Sequence, residues 1–177
     1  YKTEYIDNIS RKISKEIKGD IVLTAQQNKA LENILRDHIS VVTGGAGCGK
    51  TTLIKQLIHN LRIRGESFML TSFTGKAVLR MKEIMPEYCQ SKCFTMSRLI
   101  HKKNTRQPLD HFDHLIIDEA SMISNELLFQ FLSVFPHYYR IYFFGDCNQL
   151  PPVGSGNLLQ QIINSSKINI NYLTINK

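Results

Sequence analysis

The sequence predicts an α/β fold in which helices cover both faces of a parallel β-sheet. Short apolar runs of strand character alternate along the chain with segments whose apolar residues recur every three or four positions. Such alternation is typical of parallel sheets, because crossover helices bury both faces. The glycine-rich segment Gly44–Thr51 lies between one apolar run and one helical stretch, and it also favours an α/β fold. The length of 177 residues suits one domain with a short appendage.

The first predicted elements are two helices. Ile6, Ile9, Ile13 and Ile17 lie on one helical stripe, so residues 1–20 are expected to form an amphipathic helix or a linker. Thr24 is a good N-cap for a second helix that continues to Arg36.

The later elements follow from the same two patterns, which are β-branched and aromatic runs for strands and three- and four-residue apolar spacing for helices. The predicted strands cover residues 39–43, 67–71, 114–117, 140–144 and 168–173. The predicted helices cover residues 50–64, 75–83, 96–101, 125–134 and 157–163. Apart from the short helix at 96–101, residues 86–112 show no clear periodicity.

The composition excludes several classes of protein. With 42% hydrophobic and 21% charged residues, the chain resembles a globular domain and not a disordered one. No apolar run approaches the ~20 residues of a membrane-spanning helix, and no secretory signal is evident, so no membrane partner is expected. Four scattered cysteines suit a reducing, intracellular compartment. The net charge of +7 suits a nucleic-acid partner, and an ordinary basic surface equally well.

The glycine-rich segment matches the phosphate-binding pattern G-x-x-x-x-G-K-[ST] without a mismatch. Glycines let successive backbone N–H groups converge on phosphate oxygens, and the following helix adds the positive end of its dipole. Lys50 supplies a positive charge for the β- and γ-phosphates, and the Thr51 hydroxyl is a ligand for Mg²⁺. The expected nucleotide-binding residues here are Gly44, Gly45, Ala46, Gly47, Cys48, Gly49, Lys50, Thr51 and Thr52.

Two adjacent acids, Asp118 and Glu119, follow the apolar run Leu115–Ile117. The carboxyl end of a parallel strand opens onto the ligand crevice, where Asp118 would hold Mg²⁺ and Glu119 would activate water as a general base. Acids that only favour a helix N-terminus are the alternative. A second acid favours hydrolysis of a nucleotide over phosphoryl transfer to a small acceptor.

A third polar loop, Gly145–Val153, follows the next predicted strand and carries Gln149. From this position Gln149 could reach the γ-phosphate. Taken alone the loop is a weak signal, because Gly-Asp and Pro-Pro also form ordinary turns.

In this order the motifs resemble those of superfamily 1 helicases, and among them the RecD-like group, over nearly all of residues 23–177. Leu23–Gln27 resembles the Q motif, with Gln27 in the adenine-reading place. Thr71–Ala77 is similar to motif Ia, which contacts single-stranded DNA in that family. Asp118–Met122 and the Gly145 loop resemble motifs II and III, and they carry most of the subgroup assignment.

The resemblance implies a RecA-like P-loop NTPase fold over residues 21–177, with ATP and Mg²⁺ as cofactors. It also implies single-stranded DNA as partner, without excluding RNA, and movement from 5′ to 3′. The catalytic residues would be Lys50, Glu119 and Gln149, and the nucleic-acid contacts would be Phe73, Thr74, Lys76 and Arg98. Because the chain stops near motif IV, we expect only the first of two motor domains, with weak ATPase activity and no unwinding in isolation.

Two other functions remain open from the residues alone. A small-molecule or nucleotide kinase shares the phosphate loop, and a nucleotide-gated interaction module would bind a nucleotide without turning it over.

Some details depart from the family pattern or give weak signals. Ser97 replaces the usual histidine, and Phe73 replaces proline, with core packing favoured over contact with a base. A zinc site built on Cys89 and Cys93 is disfavoured by their spacing. The basic stretch at 101–106 suits a solvated loop better than a phosphate contact.

Overall fold

The computed structural model describes residues 22–136, 139–149 and 156–174. The predicted N-terminal helix lies outside the described residues. So do the end of the motif III loop, at 150–155, and the approach to motif IV, at 175–177.

The described residues form a single parallel sheet with crossover helices. Six strands pair in the order β3-β2-β4-β5-β1-β6, and every pairing is parallel. In chain order the strands are β1 (Ile39–Gly44), β2 (Phe68–Ser72), β3 (Cys93–Thr95), β4 (His114–Ile117), β5 (Arg140–Gly145) and β6 (Asn169–Leu173). The α-helices are α1 (Ala25–Arg36), α2 (Lys50–Arg64), α3 (Gly75–Ile84), α4 (Met96–Asn104), α5 (Asn125–Val134) and α6 (Leu158–Asn164).

Two buried clusters flank the sheet and confirm that helices cover both faces. One cluster joins α1, α2 and α3 to the sheet through residues such as Ile34, Leu57 and Met81. The other joins α4, α5 and α6 through residues such as Leu99 and Phe131. Strands buried on both faces therefore read as continuous apolar runs, as Leu115–Ile117 does.

Local chemistry fixes where the helices begin and end. Thr24 and Gln27 form a reciprocal capping box at the start of α1. The side chains of Thr74, Thr95 and Ser124 cap α3, α4 and α5, and each accepts one backbone N–H of the first turn. Gly65 adopts the left-handed conformation that ends α2.

The predicted elements agree with the structure to within a residue or two, except between residues 86 and 112. There the sequence shows no periodicity because a short 3₁₀ helix, Glu87–Lys92, leads directly into the three-residue strand β3. The basic stretch at 101–106 is not a loop throughout, because its first four residues end α4. Among the described residues, no helix is long and apolar enough to cross a membrane.

Candidate functional site

The parallel strands bring the predicted motifs to one edge of the sheet. The carboxyl ends of β1, β2, β4 and β5 lead respectively into the phosphate loop, motif Ia, the paired acids and the Gln149 loop. This edge is where ligands bind in open α/β sheets.

The phosphate loop leads into α2 through Gly49, which has a φ angle of 80° and is the N-cap of that helix. The ammonium of Lys50 folds back and donates hydrogen bonds to the carbonyls of Gly44 and Gly45, the latter at 2.9 Å. Phosphate oxygens accept stronger, charge-assisted hydrogen bonds than neutral carbonyls. A phosphate bound in the loop would therefore compete with these carbonyls for the Lys50 ammonium.

Gln27 packs against the phosphate loop. Its side-chain amide donates to the carbonyl of Cys48 at 3.3 Å, and its carbonyl oxygen accepts from the backbone N–H of Thr24 at 2.9 Å. The side chain is only 2% exposed. The structure thus places Gln27 against the loop, and its contact with adenine stays a prediction.

Gly49 tolerates no larger residue. A Cβ atom there would lie 2.1 Å from the amide nitrogen of Gln27, at a φ angle that disfavours side chains. We expect Gly49→Ala to lower the free energy of unfolding by roughly 2 kcal/mol or more, through backbone strain and the clash. Chemical denaturation measures this change.

Gly75→Ala is the matched control for Gly49→Ala. A Cβ at Gly75, the first residue of α3, would meet nothing within 4 Å. Alanine there is expected to be neutral or to stabilise by about 0.5 kcal/mol. Equal losses for the two variants would contradict the role assigned to Gly49.

The carboxylates of Asp118 and Glu119 have different hydrogen-bond partners. Asp118 is partly buried, and its carboxylate accepts the backbone N–H of Glu119 at 2.9 Å. Burial raises the pKa of Asp118, against the opposing influence of that hydrogen bond and of the positive charges on Lys50 and Arg80. A divalent cation would stabilise the ionised form.

Glu119 adopts a left-handed conformation, with φ 54°, that is unusual for a residue with a side chain. Its carboxylate accepts a hydrogen bond from the hydroxyl of Ser72 at 3.4 Å. Strain of this kind persists where the surrounding structure enforces it, which is common at functional sites.

Gln149 ends a tight turn that begins at Asp146 and is tied to the phosphate-loop strand. The backbone N–H of Gln149 donates to the Asp146 carbonyl at 3.1 Å, and that of Cys147 donates to the Thr43 hydroxyl at 3.1 Å. The buried hydroxyl of Ser121, three residues after Asp118, donates to the Gln149 side-chain oxygen at 3.2 Å. This hydrogen bond uses the oxygen of the Gln149 amide and not its hydrogens.

These residues meet around one cleft of about 400 Å³. The predicted residues that line it are Ala46, Gly47, Cys48, Gly49, Lys50, Thr51, Asp118, Glu119 and Gln149. Ala77, Arg80 and Ile84 of α3 line it too, and the sequence reasoning missed them. Their spacing of three and four residues was a usable signal, since it places them on one helical face.

The phosphate loop also lines a second cavity of about 500 Å³. Gly44 and Gly45 line it together with Cys147 and Tyr172. It adjoins the first cleft because the two share Ala46 and Cys48.

The residues expected to contact nucleic acid lie apart from the cleft lining, after the neighbouring strands β2 and β3. Lys76 and Arg98 are exposed, and Thr74 caps α3. Phe73 is 39% exposed and belongs to neither core cluster. The preference for core packing of Phe73 was therefore wrong, because the chain leaves the sheet at Ser72 and turns its next side chain outward.

Cys89 and Cys93, the residues considered for a zinc site, lie in the core. Cys89 and Cys93 are buried, and burial raises their pKa values to about 12 and about 11. Within the part of the chain that the structure describes, no group of three or more His, Cys, Asp or Glu residues could hold a metal ion. Cys48, Cys89, Cys93 and Cys147 form no disulfide with one another.

Comparison with known proteins identifies relatives of this architecture. The profile of one protein family, described as the AAA domain, matches residues 27–155. The ATP-dependent RecD2 DNA helicase of Deinococcus radiodurans is 31% identical over 140 residues, which is 76% of this chain. The RecD subunit of the RecBCD enzyme of Buchnera aphidicola from Acyrthosiphon pisum is 30% identical over 189 residues, covering 89% of this chain.

Among solved structures, the Pif1 helicase of Candida albicans has the same fold. Its TM-score is 0.64 at 23% identity, over 89% of this chain and 41% of that one. The chain spans 19% of the RecD2 helicase and 31% of the RecD subunit.

Proposed function

Because this chain belongs to the AAA domain family and has the RecA-like motor-domain fold of RecD-like superfamily 1 helicases, we propose that it binds and hydrolyses ATP to drive a DNA helicase. One observation carries the proposal. The phosphate-loop lysine, two acids and a glutamine, which are far apart in sequence, line one cleft at the carboxyl edge of the sheet.

Each residue has a task that fits its chemistry. Lys50 stabilises negative charge on the β- and γ-phosphates as the terminal bond breaks. Glu119 accepts a proton from the attacking water, and Gln149 donates its amide hydrogens toward the γ-phosphate. Gln27 would add contact with adenine if its amide turned from the Cys48 carbonyl toward the base.

The cleft also suits Mg²⁺. Its Thr51 hydroxyl and Asp118 carboxylate are the hard oxygen ligands that this ion prefers. When bound, Mg²⁺ would neutralise phosphate charge as the terminal phosphate leaves. The raised pKa of Asp118 agrees with a site whose carboxylate is completed by a cation.

Single-stranded DNA is the proposed activator, and Phe73, Thr74, Lys76 and Arg98 are its proposed contacts. These residues follow adjacent strands at the edge of the sheet that holds the nucleotide cleft. Helix α3 connects the proposed DNA contacts with the cleft, because it begins after Thr74 and Arg80 on it lines the cleft. A 5′ to 3′ direction is proposed from the family resemblance. The second RecA-like domain needed to complete the motor would come from outside these residues.

Steady-state ATP hydrolysis by the full-length protein tests this function. We expect single-stranded DNA to stimulate the rate several-fold or more, and the stimulation to weaken as salt rises from about 50 to 200 mM. Turnover that needs a small acceptor and ignores DNA would identify a kinase instead. Tight ATP binding without turnover, with or without DNA or RNA, would identify a nucleotide-gated module.

Ser121 provides a narrower prediction. Ser121→Ala removes the hydroxyl that fixes the Gln149 amide, so the side chain gains rotational freedom. We expect the turnover number to fall roughly 3- to 10-fold, equivalent to about one hydrogen bond, with the affinity for ATP nearly unchanged. Rapid-quench ATPase assays and equilibrium binding separate the two quantities.

Ser133→Ala is its control, because among the described residues that exposed hydroxyl on α5 bonds only to the Phe129 carbonyl one turn earlier. It should leave the turnover number unchanged. Wild-type turnover in Ser121→Ala would show that Gln149 needs no such support.

A further inference from the structure

Arg80 presents a second positive charge to the nucleotide cleft. It lies on α3, whose core face carries the buried residues Val78 and Met81. The adjoining face, formed by Ala77, Arg80 and Ile84, lines the cleft, and Ile84 also packs against the core. Arg80 is therefore directed to the cleft by the same helical periodicity that buries its neighbours.

Among the described residues, Arg80 is one of four charged residues that line the cleft. Its described lining holds two cations, Lys50 and Arg80, and two acids, Asp118 and Glu119. Arg80 shares this cavity with the acids and Gln149, whereas Gln27 does not line it. Arg80 therefore lies in the same cavity as the groups proposed to activate water and to contact the terminal phosphate.

Arg80 is also available for a ligand. Its side chain is exposed, and across residues 22–136, 139–149 and 156–174 it forms no ion pair or side-chain hydrogen bond. Lys50, in contrast, already donates to two loop carbonyls. A guanidinium binds phosphate oxygens with a planar pair of donors that an ammonium lacks.

We propose that Arg80 binds the terminal phosphate of a nucleoside triphosphate and so makes the cleft prefer a triphosphate over a diphosphate. This inference rests on the proposed function and adds a residue that the motif pattern did not assign to the nucleotide. It predicts a selective loss when Arg80 is changed, because a diphosphate has no terminal group to receive the contact.

Calorimetric titration of the chain with Mg²⁺ and either a non-hydrolysable β,γ-imido ATP analogue or ADP tests the inference. For Arg80→Ala we expect the dissociation constant of the ATP analogue to rise about 10-fold or more, as for a lost charge-assisted hydrogen bond. The constant for ADP should change less than about 2-fold. The affinity of Arg80→Lys for the ATP analogue should lie between those of the wild-type chain and Arg80→Ala, since lysine keeps the charge but not the planar donors.

Lys82→Ala is the matched control, because Lys82 is a cation on the same helix that does not line the cleft. It should bind both nucleotides as the wild-type chain does. Arg80→Gln removes the charge while keeping a long polar side chain, and it should reproduce the selective loss even if Arg80→Ala proves unstable.

Two results would overturn the inference while the proposed function stands. One is unchanged affinity for the ATP analogue in Arg80→Gln, and the other is an equal loss for the analogue and ADP. If the wild-type chain bound neither nucleotide, the proposed function and the inference would both fall.

Discussion

Replacing Lys50 with alanine is expected to abolish ATP turnover, lowering the rate on the order of 100- to 1,000-fold. Phosphoryl transfer depends mainly on positioning and on stabilising charge, and Lys50 is the cation that reaches from α2 over the start of the phosphate loop. ATP binding should weaken as well, by about 10-fold or more, because the same charge holds the ground-state phosphates. Steady-state ATPase assays and equilibrium titration of the full-length protein measure the two effects.

Lys55→Ala is the control for Lys50→Ala. Lys55 lies on the same helix and carries the same charge, but it does not line the cleft. Its rate should stay within about 2-fold of wild type, as for a surface charge. If Lys50→Ala kept substantial ATPase activity, the phosphate loop would not be the catalytic centre.

Glu119→Gln is expected to separate binding from chemistry. The amide keeps the size of the side chain and can still interact with Ser72, but it cannot accept the proton of the attacking water. We expect the turnover number to fall about 100-fold or more while the dissociation constant for ATP changes less than about 3-fold. Single-turnover kinetics together with nucleotide titration distinguish this pattern from a general loss of structure.

Glu126→Gln, on the exposed first turn of α5, is the control for Glu119→Gln. It should change neither the turnover number nor the dissociation constant for ATP. A residual rate near wild type in Glu119→Gln would show that another group activates water. That result would favour the kinase or the nucleotide-gated module, because neither function needs this carboxylate as a base.

Much of the site follows from the sequence because parallel strands end at a common edge. Once residues 39–43, 114–117 and 140–144 are identified as strands of one parallel sheet, the segments that follow them must meet. The structure brings Lys50, Asp118 and Gln149 together in this way. The sequence does not indicate the strand order, since it depends on which crossovers pack best after the chain collapses.

The remaining features depend on tertiary contacts. Strand β3 has only three residues and no periodicity of its own, and its pairing with β2 defines it. Core packing of Phe73 was favoured over contact with a base, yet the direction of the chain after Ser72 exposes the ring. Arg80 reaches the nucleotide cleft only because α3 packs through Val78 and Met81.

Strand separation by the full-length protein tests the central claim most directly. The substrate is a short duplex with a single-stranded overhang at its 5′ or its 3′ end, and ATP is compared with its non-hydrolysable analogue. The account predicts ATP-dependent separation from the 5′ overhang, none with the analogue, and none by Lys50→Ala. ATP hydrolysis without separation of either duplex would contradict the assignment as a DNA helicase motor.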